Sequence, residues 1–191
     1  MAVTQPIRNK QEIRALTSYY LDKGELRNYA LIVLGLYTAL RVSDLLRLSW
    51  SDVYDFDNTR VRPAFSLIEK KTQKAKTVAL NKAAVDALSL YAIRYAQKGC
   101  FLFENRRTGK AISRVHAYRL IRAASDSLKL TCRVSCHSLR KTFGYHAWKD
   151  GTSPIVLMEI YNHSSLGVTK RYLGITQDDK NEVYLSLDFA A

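Results

Sequence analysis

His137-Ser138-Leu139-Arg140, then Gly144-Tyr145-His146, Asn162-His163-Ser164-Ser165 and Thr169-Lys170-Arg171-Tyr172-Leu173-Gly174, make up the stretch around which this chain is organised. It gathers imidazoles, guanidiniums and a phenol in one basic, mostly helical segment. Guanidinium forks match phosphate oxygens, imidazole moves protons near neutral pH, and a deprotonated phenol is a nucleophile. His137 and Arg140 are three positions apart, so one helical face presents both. No carboxylate cluster accompanies them to hold a metal. A zinc site from Cys132, Cys136, His137 and His146 has none of the usual ligand spacings, and no metal is expected.

Composition sets the outer limits. With 191 residues, 47% of them hydrophobic and 10% aromatic, the chain is expected to be a single globular domain with a full core. Its 30 Lys and Arg against 17 Asp and Glu leave a net charge of +13, which favours a polyanionic partner, nucleic acid before an anionic membrane. The apolar run from Tyr29 to Leu40 is too short to span a bilayer, and the amino terminus lacks the apolar segment of a signal peptide. Membrane attachment is therefore not expected, and a cytoplasmic location is. The three cysteines, Cys100, Cys132 and Cys136, read as free thiols.

Outward from the central stretch, punctuation and periodicity divide the chain. Asn9 with Glu12 resembles a capping box and opens a helix to Tyr20. A strongly apolar helix follows from about Leu26 to Ala39, with Arg41 at its end and Ser43 able to cap the next one. From Trp50 to Leu80 the pattern is strand-like, including Val53, Val61, Phe65, Leu67 and Val78. Glu69 to Lys76 forms a hairpin tip carrying Lys70, Lys71, Lys74 and Lys76, suited to a groove or a phosphate; a lysine-rich edge also deters sheet aggregation. Asn81 caps a helix to about Lys98. Ser113 caps another, whose apolar stripe lies beside a basic and aromatic one of Arg114, Tyr118, Arg122, Ser125 and Lys129, a plausible major-groove reader. Further helices run from His137 to Trp148, from Ser153-Pro154 to Ile160, over Val168 to Tyr172, and from Thr176 onward. The fold class is mainly α with one small antiparallel β-sheet.

These blocks together resemble the catalytic domain of the tyrosine recombinase (phage integrase) family, relatives of type IB topoisomerases. Thr38-Ala39-Leu40-Arg41-Val42-Ser43-Asp44-Leu45-Leu46 is similar to the family's first-arginine block. Lys71, seven residues before Val78, is similar to its hairpin lysine. His137-Ser138-Leu139-Arg140 resembles the H-x-L-R box, and Asn162-His163-Ser164-Ser165 with Arg171-Tyr172-Leu173-Gly174 resembles the second-histidine and nucleophile region. The resemblance runs from about residue 5 to 188. It implies that Tyr172 attacks a DNA phosphodiester to leave a 3′-phosphotyrosine, while Arg41 and Arg140 clamp the phosphate. His137 would assist proton transfer, Lys71 would protonate the leaving 5′-hydroxyl, and His163 would donate a hydrogen bond.

Strand cutting and rejoining of this kind implies no cofactor, metal or ATP. The implied partners are double-stranded DNA and further copies of the chain, as a dimer or tetramer on DNA. Lys70, Lys74, Lys76, Arg114, Tyr118, Arg122 and Lys129 are the candidate DNA contacts. Larger members carry a separate amino-terminal clamp, for which the forty residues before Arg41 leave no room; either a minimal member or a fragment of a longer one is expected. The final helix, about 177–188, is expected to dock on a neighbouring protomer. A non-catalytic DNA-binding regulator and a type IB-like relaxing topoisomerase are the alternatives to a site-specific recombinase or integrase.

Overall fold

A computed structural model describes residues 4–188. Its spine is α2 (Leu26–Tyr37), in which Leu31, Ile32, Val33, Leu34 and Leu36 are all buried. At roughly 1.5–3 kcal/mol for each large side chain removed from water, this helix alone accounts for much of the apolar driving force. It packs against α1 (Lys10–Leu21), α5 (Lys82–Tyr95) and α7 (Cys136–Lys149). Gly35 is what lets α7 come close, because a Cβ there would meet Leu139 Cδ1 at 2.7 Å.

The core divides into three groups. On one side of α2, Leu31, Leu34, Trp50, Phe65, Leu88 and Phe103 pack together. On the other, Ile7 and Leu16 meet Ile32, Leu36, Ile121 of α6 (Arg114–Ser127) and Leu139. The third group, Ala39, Leu157, Tyr161 and Leu173, lies beneath Tyr172 and joins the carboxyl end of α2 to α8 (Pro154–Tyr161) and α9 (Leu166–Leu173). A last helix, α10 (Gln177–Ser186), follows.

Most caps read from the sequence are present: Asn9 accepts from Gln11 N, Asn81 from Ala84 N, Ser113 from His116 N and Ser153 from Ile155 N, although Glu12 does not complete a box with Asn9 because its carboxylate accepts from Thr131. Three details differ. Ser43 is not a cap: α3 (Val42–Leu45) starts one residue earlier with Arg41 at its amino end, in extended backbone. Val53 is not in a strand, because Ser49 and Asp52 form a reciprocal capping box that folds Trp50–Val53 into α4. The single expected sheet is three separate antiparallel ribbons: Tyr54–Asp55 with Arg60–Val61 (β1, β2), Ala64–Ile68 with Ala75–Ala79 (β3, β4), and Glu104–Asn105 with Lys110–Ala111 (β5, β6). The β3–β4 hairpin is the one that matters for the site. Its register pairs Phe65 with Val78 and Leu67 with Lys76, so Lys76 belongs to a strand and not to the tip.

Candidate active site

The end of α2, the start of α7, the α8–α9 connection and the β3–β4 turn converge on Tyr172. Arg140, one helical turn into α7, is fully buried at 1% exposure. Its Nη2 donates to Tyr161 O at 2.9 Å and its Nη1 to Ala39 O. The Ala39 carbonyl is aimed by a left-handed backbone (φ 53°) in the sharp turn out of α2. In return, the Tyr161 hydroxyl donates to Arg140 O at 2.8 Å. With both ends of the guanidinium held, its carbon lies 5.7 Å from the Tyr172 ring centre.

Arg41 stands beside it, with only 14% of its side chain exposed and Nη1 3.0 Å from Glu69 Oε1; Arg140 Nη1 lies 3.9 Å from the same oxygen. The approach of Arg41 to Glu69 is close but outside hydrogen-bond geometry. Among the described residues, Arg41 Nη1 and Arg140 Nε are thus buried donors with no hydrogen-bond acceptor in the chain. Two largely enclosed guanidiniums side by side, with one carboxylate against them, leave an excess of positive charge suited to an anion.

Aromatic rings frame the phenol. His163 meets Tyr172 edge-on at 5.0 Å and stacks on Tyr161 at 5.0 Å. His137, on the exposed rim at the first turn of α7, lies 6.3 Å away on another side. Asn162 makes this possible: it ends α8 in left-handed conformation (φ 52°, ψ 44°), which turns the chain so that His163 doubles back over Tyr161. His163 Nδ1 is 3.1 Å from the hydroxyl of the buried Thr169. Ser165 caps α9, so Tyr172 projects from its last turn, before Gly174 closes the helix in left-handed conformation.

The electrostatics follow from crowding cations around few anions. Burial, then the charges of Arg140, Arg41 and Lys71, pushes His163 down to about 4, so its ring is neutral at pH 7. Desolvation on its inward side, together with Arg140, Lys141, Arg41 and Arg114, also lowers His137. Burial raises Tyr172 above the ordinary phenol value; the charge and contact of Arg140 and the charge of Arg41 pull the other way. Among the described residues, no three His, Cys, Asp or Glu side chains cluster as metal ligands.

Arg41, His137, Arg140, His163 and Tyr172 are therefore brought together around one position. Lys71 is exposed in the turn after β3, close enough for its charge to act on His163. Lys70 and Lys74 are exposed on the same turn, with Lys70 N donating to Asp44 Oδ1 at 2.9 Å. Lys76 differs: it points inward and its Nζ donates to Ile160 O at 2.6 Å, so it is not on the free face expected for a groove contact. Along α6, Arg114 and Tyr118 are exposed, as is Lys129 beyond its end, and Arg122 is ion-paired with Asp126. Ser125 is buried at 3% and leaves that stripe. Three participants escaped sequence reasoning: Glu69, Asn162 as its partner, and Lys141, whose Nζ is 5.4 Å from the Tyr172 ring centre. Glu69 and Asn162 both lay inside segments already singled out, the hairpin tip and the second-histidine block, but Glu69 was masked by the lysines that follow it.

Fold and site define the class: the catalytic domain of a tyrosine recombinase. The phage integrase family model matches residues 8–178, and the chain belongs to that family. Among curated relatives, the probable integrase/recombinase YoeC of Bacillus subtilis (strain 168) is 35% identical over 184 residues, covering 96% of this chain and 97% of YoeC. Tyrosine recombinase XerD of Mycobacterium tuberculosis (strain CDC 1551 / Oshkosh) is 30% identical over 166 residues, 83% of this chain but 51% of XerD, so the chain spans about half of that longer relative. Among solved structures, XerA recombinase superposes with a TM-score of 0.79 at 22% identity, covering 97% of this chain and 66% of XerA. XerH site-specific recombinase bound to its palindromic difH substrate gives 0.76 at 21%, covering 96% and 53%.

Proposed function

We propose that this chain is a site-specific DNA recombinase or integrase that cuts and rejoins strands through Tyr172. The observation that carries the reading is the convergence of two guanidiniums, the largely buried Arg41 and the fully buried Arg140, on a phenol flanked by two imidazoles. A phosphodiester bound there places its non-bridging oxygens on the arginines. The Tyr172 oxygen bonds to phosphorus as the bond to the 5′-oxygen breaks, leaving a 3′-phosphotyrosyl link. The phenol proton leaves towards His137, and Lys71 supplies the proton that the 5′-oxygen needs. His163, neutral at pH 7, donates through its ring N–H to a phosphate oxygen.

Because the ester is exchanged and not hydrolysed, its energy is kept and rejoining needs no ATP. The arginines supply the charge stabilisation, with about 3–4 kcal/mol of barrier at stake in each clamp donor. A phenol that ionises above the usual ~10 is protonated at pH 7. It becomes a nucleophile as its proton passes towards His137 during attack.

Lys70 and Lys74 on the hairpin, with Arg114, Tyr118 and Arg122 along α6 and Lys129 just beyond it, form the face offered to duplex DNA, and +13 overall supplies the long-range attraction. The chain acts as one catalytic domain in the cytoplasm, where such DNA lies, and assembles as a dimer or tetramer on it. The amino end of α10 is tied to its own chain: Thr176 and Asp179 form a capping box, and Lys149 reaches Asp179 at 3.0 Å. Its far end exposes Val183, Tyr184, Leu185 and, just beyond, Leu187. That apolar end docks on a neighbouring copy.

Covalent capture tests the reading. Purified protein is mixed with labelled supercoiled and nicked DNA in EDTA, quenched in SDS, and run beside Tyr172→Phe. A labelled protein band lost in the variant is expected. No band despite salt-sensitive DNA binding would favour a regulator of the same fold, and a band persisting in Tyr172→Phe would mean another nucleophile.

A further inference from the structure

Glu69 is fully buried, and no step above uses it. It ends the β3 side of the hairpin and starts the turn that carries Lys71. Its backbone closes that turn, with Glu69 N donating to Lys74 O at 3.0 Å and Gln73 N to Glu69 O at 2.9 Å. One carboxylate oxygen faces Arg41 and Arg140, at 3.0 and 3.9 Å. The other accepts from Asn162 Nδ2 at 2.9 Å and from Thr72 Oγ1 at 2.8 Å. A single group thus touches the first arginine, the second arginine, the residue before His163 and the residue after Lys71.

Desolvating a carboxylate costs several kcal/mol, so a position needed only for packing would be filled more cheaply by an apolar side chain. Burial works to raise this carboxyl. The hydrogen bonds from Asn162 and Thr72, and the charges of Arg41 and Lys76, hold it below the usual carboxylate range. It is an anion at neutral pH, completely enclosed, and so cannot itself touch DNA.

We propose that Glu69 is a positioning residue for strand transfer: it fixes Arg41 against Arg140 and locks the Lys71 turn and the Asn162–His163 connection onto that pair. The proposal rests on the catalytic reading above. Glu69→Gln is the informative change, because it keeps shape while removing charge. With Asn162 and Thr72 still donating to the remaining oxygen, the new amide presents its NH2 to Arg41, donor against donor.

Two measurements decide it. The first needs no DNA: side-chain 15N NMR of the Arg41 and Arg140 guanidiniums in the free protein. Glu69→Gln should cost Arg41 its ordered signal in spectra recorded well below the variant's own melting transition, which should itself fall by several degrees. Thr72→Val, which keeps the charge but removes one of the two hydrogen bonds that hold the second carboxylate oxygen, should weaken the same signal and serves if Glu69→Gln does not fold. An unchanged Arg41 signal in these variants overturns the proposal.

The second is a double-mutant cycle on covalent capture, using nicked duplexes randomised around the nick. Glu69→Gln should slow adduct formation about 10- to 100-fold with DNA affinity unchanged, and by less than about 3-fold in an Arg41→Ala background. Equal factors in both backgrounds would mean that Glu69 does not act through Arg41, and would refute the proposal. Absence of a Tyr172 adduct in wild type would instead strike the catalytic reading, while the guanidinium spectra still decide the role of Glu69.

Discussion

Lys76 offers the most quantitative test of how the site is built. Its ammonium is largely buried, bonded to Ile160 O, and feels the opposing charges of Arg140 and Arg41 and of Glu69 and Asp44. Burial first, then the arginines, brings it down from 10.5 to about 8. In the unfolded chain the amine holds its proton until about pH 10.5. Between the two values unfolding therefore takes up a proton, and stability rises with pH. Below pH 8 the cost of the buried charge is fully present; above 10.5 it is gone. At about 1.4 kcal/mol per pH unit, the interval amounts to about 3 kcal/mol.

Lys76→Met keeps the apolar stem and removes the titration, but loses a charged hydrogen bond worth about 1.5–3 kcal/mol. The two proteins should therefore be of similar stability at pH 7. The difference should then swing by about 3 kcal/mol in favour of wild type by pH 10.5. Urea unfolding of both proteins at pH 7, 8, 9, 10 and 10.5 measures it. The cysteines, all raised by burial, titrate alike in the two proteins and cancel in the difference. A stability difference that stays constant across this range would refute the placement of Lys76 as a buried cation.

Gly144→Ala should destabilise the protein by about 1–3 kcal/mol, read by calorimetry, and depress cleavage with it. The added Cβ would stand 2.1 Å from the Tyr161 hydroxyl and 2.9 Å from its ring, and Tyr161 is the residue that holds both Arg140 and the His163 ring. A melting temperature within 1 °C of wild type would contradict that crowding. His163 should titrate near 4 by ring NMR, and its contribution to stability should be complete above pH 6.5 and lost as pH falls through about 4. A midpoint at 6 or above would mean that its ring is not enclosed among cations.

Much of the molecule was legible because it is local. Helix α2 announced itself through apolar spacing, and Asn81, Ser113 and Ser153 each satisfy an amide two or three residues on. The chemistry of the site was legible as well, since arginine, histidine and tyrosine in one ordered set suit few reactions besides phosphoryl transfer. What failed were choices settled by side-chain hydrogen bonds and packing that spacing does not show. Val53 looks like a strand residue until Ser49 and Asp52 cap one helical turn around it. Ser125 matches a basic stripe by spacing, yet faces the core because α6 lies against α7 and α1. Four lysines in one hairpin are equivalent on paper; the β3–β4 register turns Lys76 inward and leaves Lys70, Lys71 and Lys74 at the tip.

The sequence by itself determined the chemical inventory and the helical scaffold, because residue type fixes reactivity and periodicity fixes which face is apolar. Only the tertiary structure decided the electrostatic state of the site. Whether a carboxylate such as Glu69 is a solvated surface charge or the buried counter-ion of two arginines depends on what lies across from it, here Arg41, Arg140 and Asn162, brought together from three distant segments. Desolvation and Coulomb energy depend on distance in space, and the linear order of residues does not contain it.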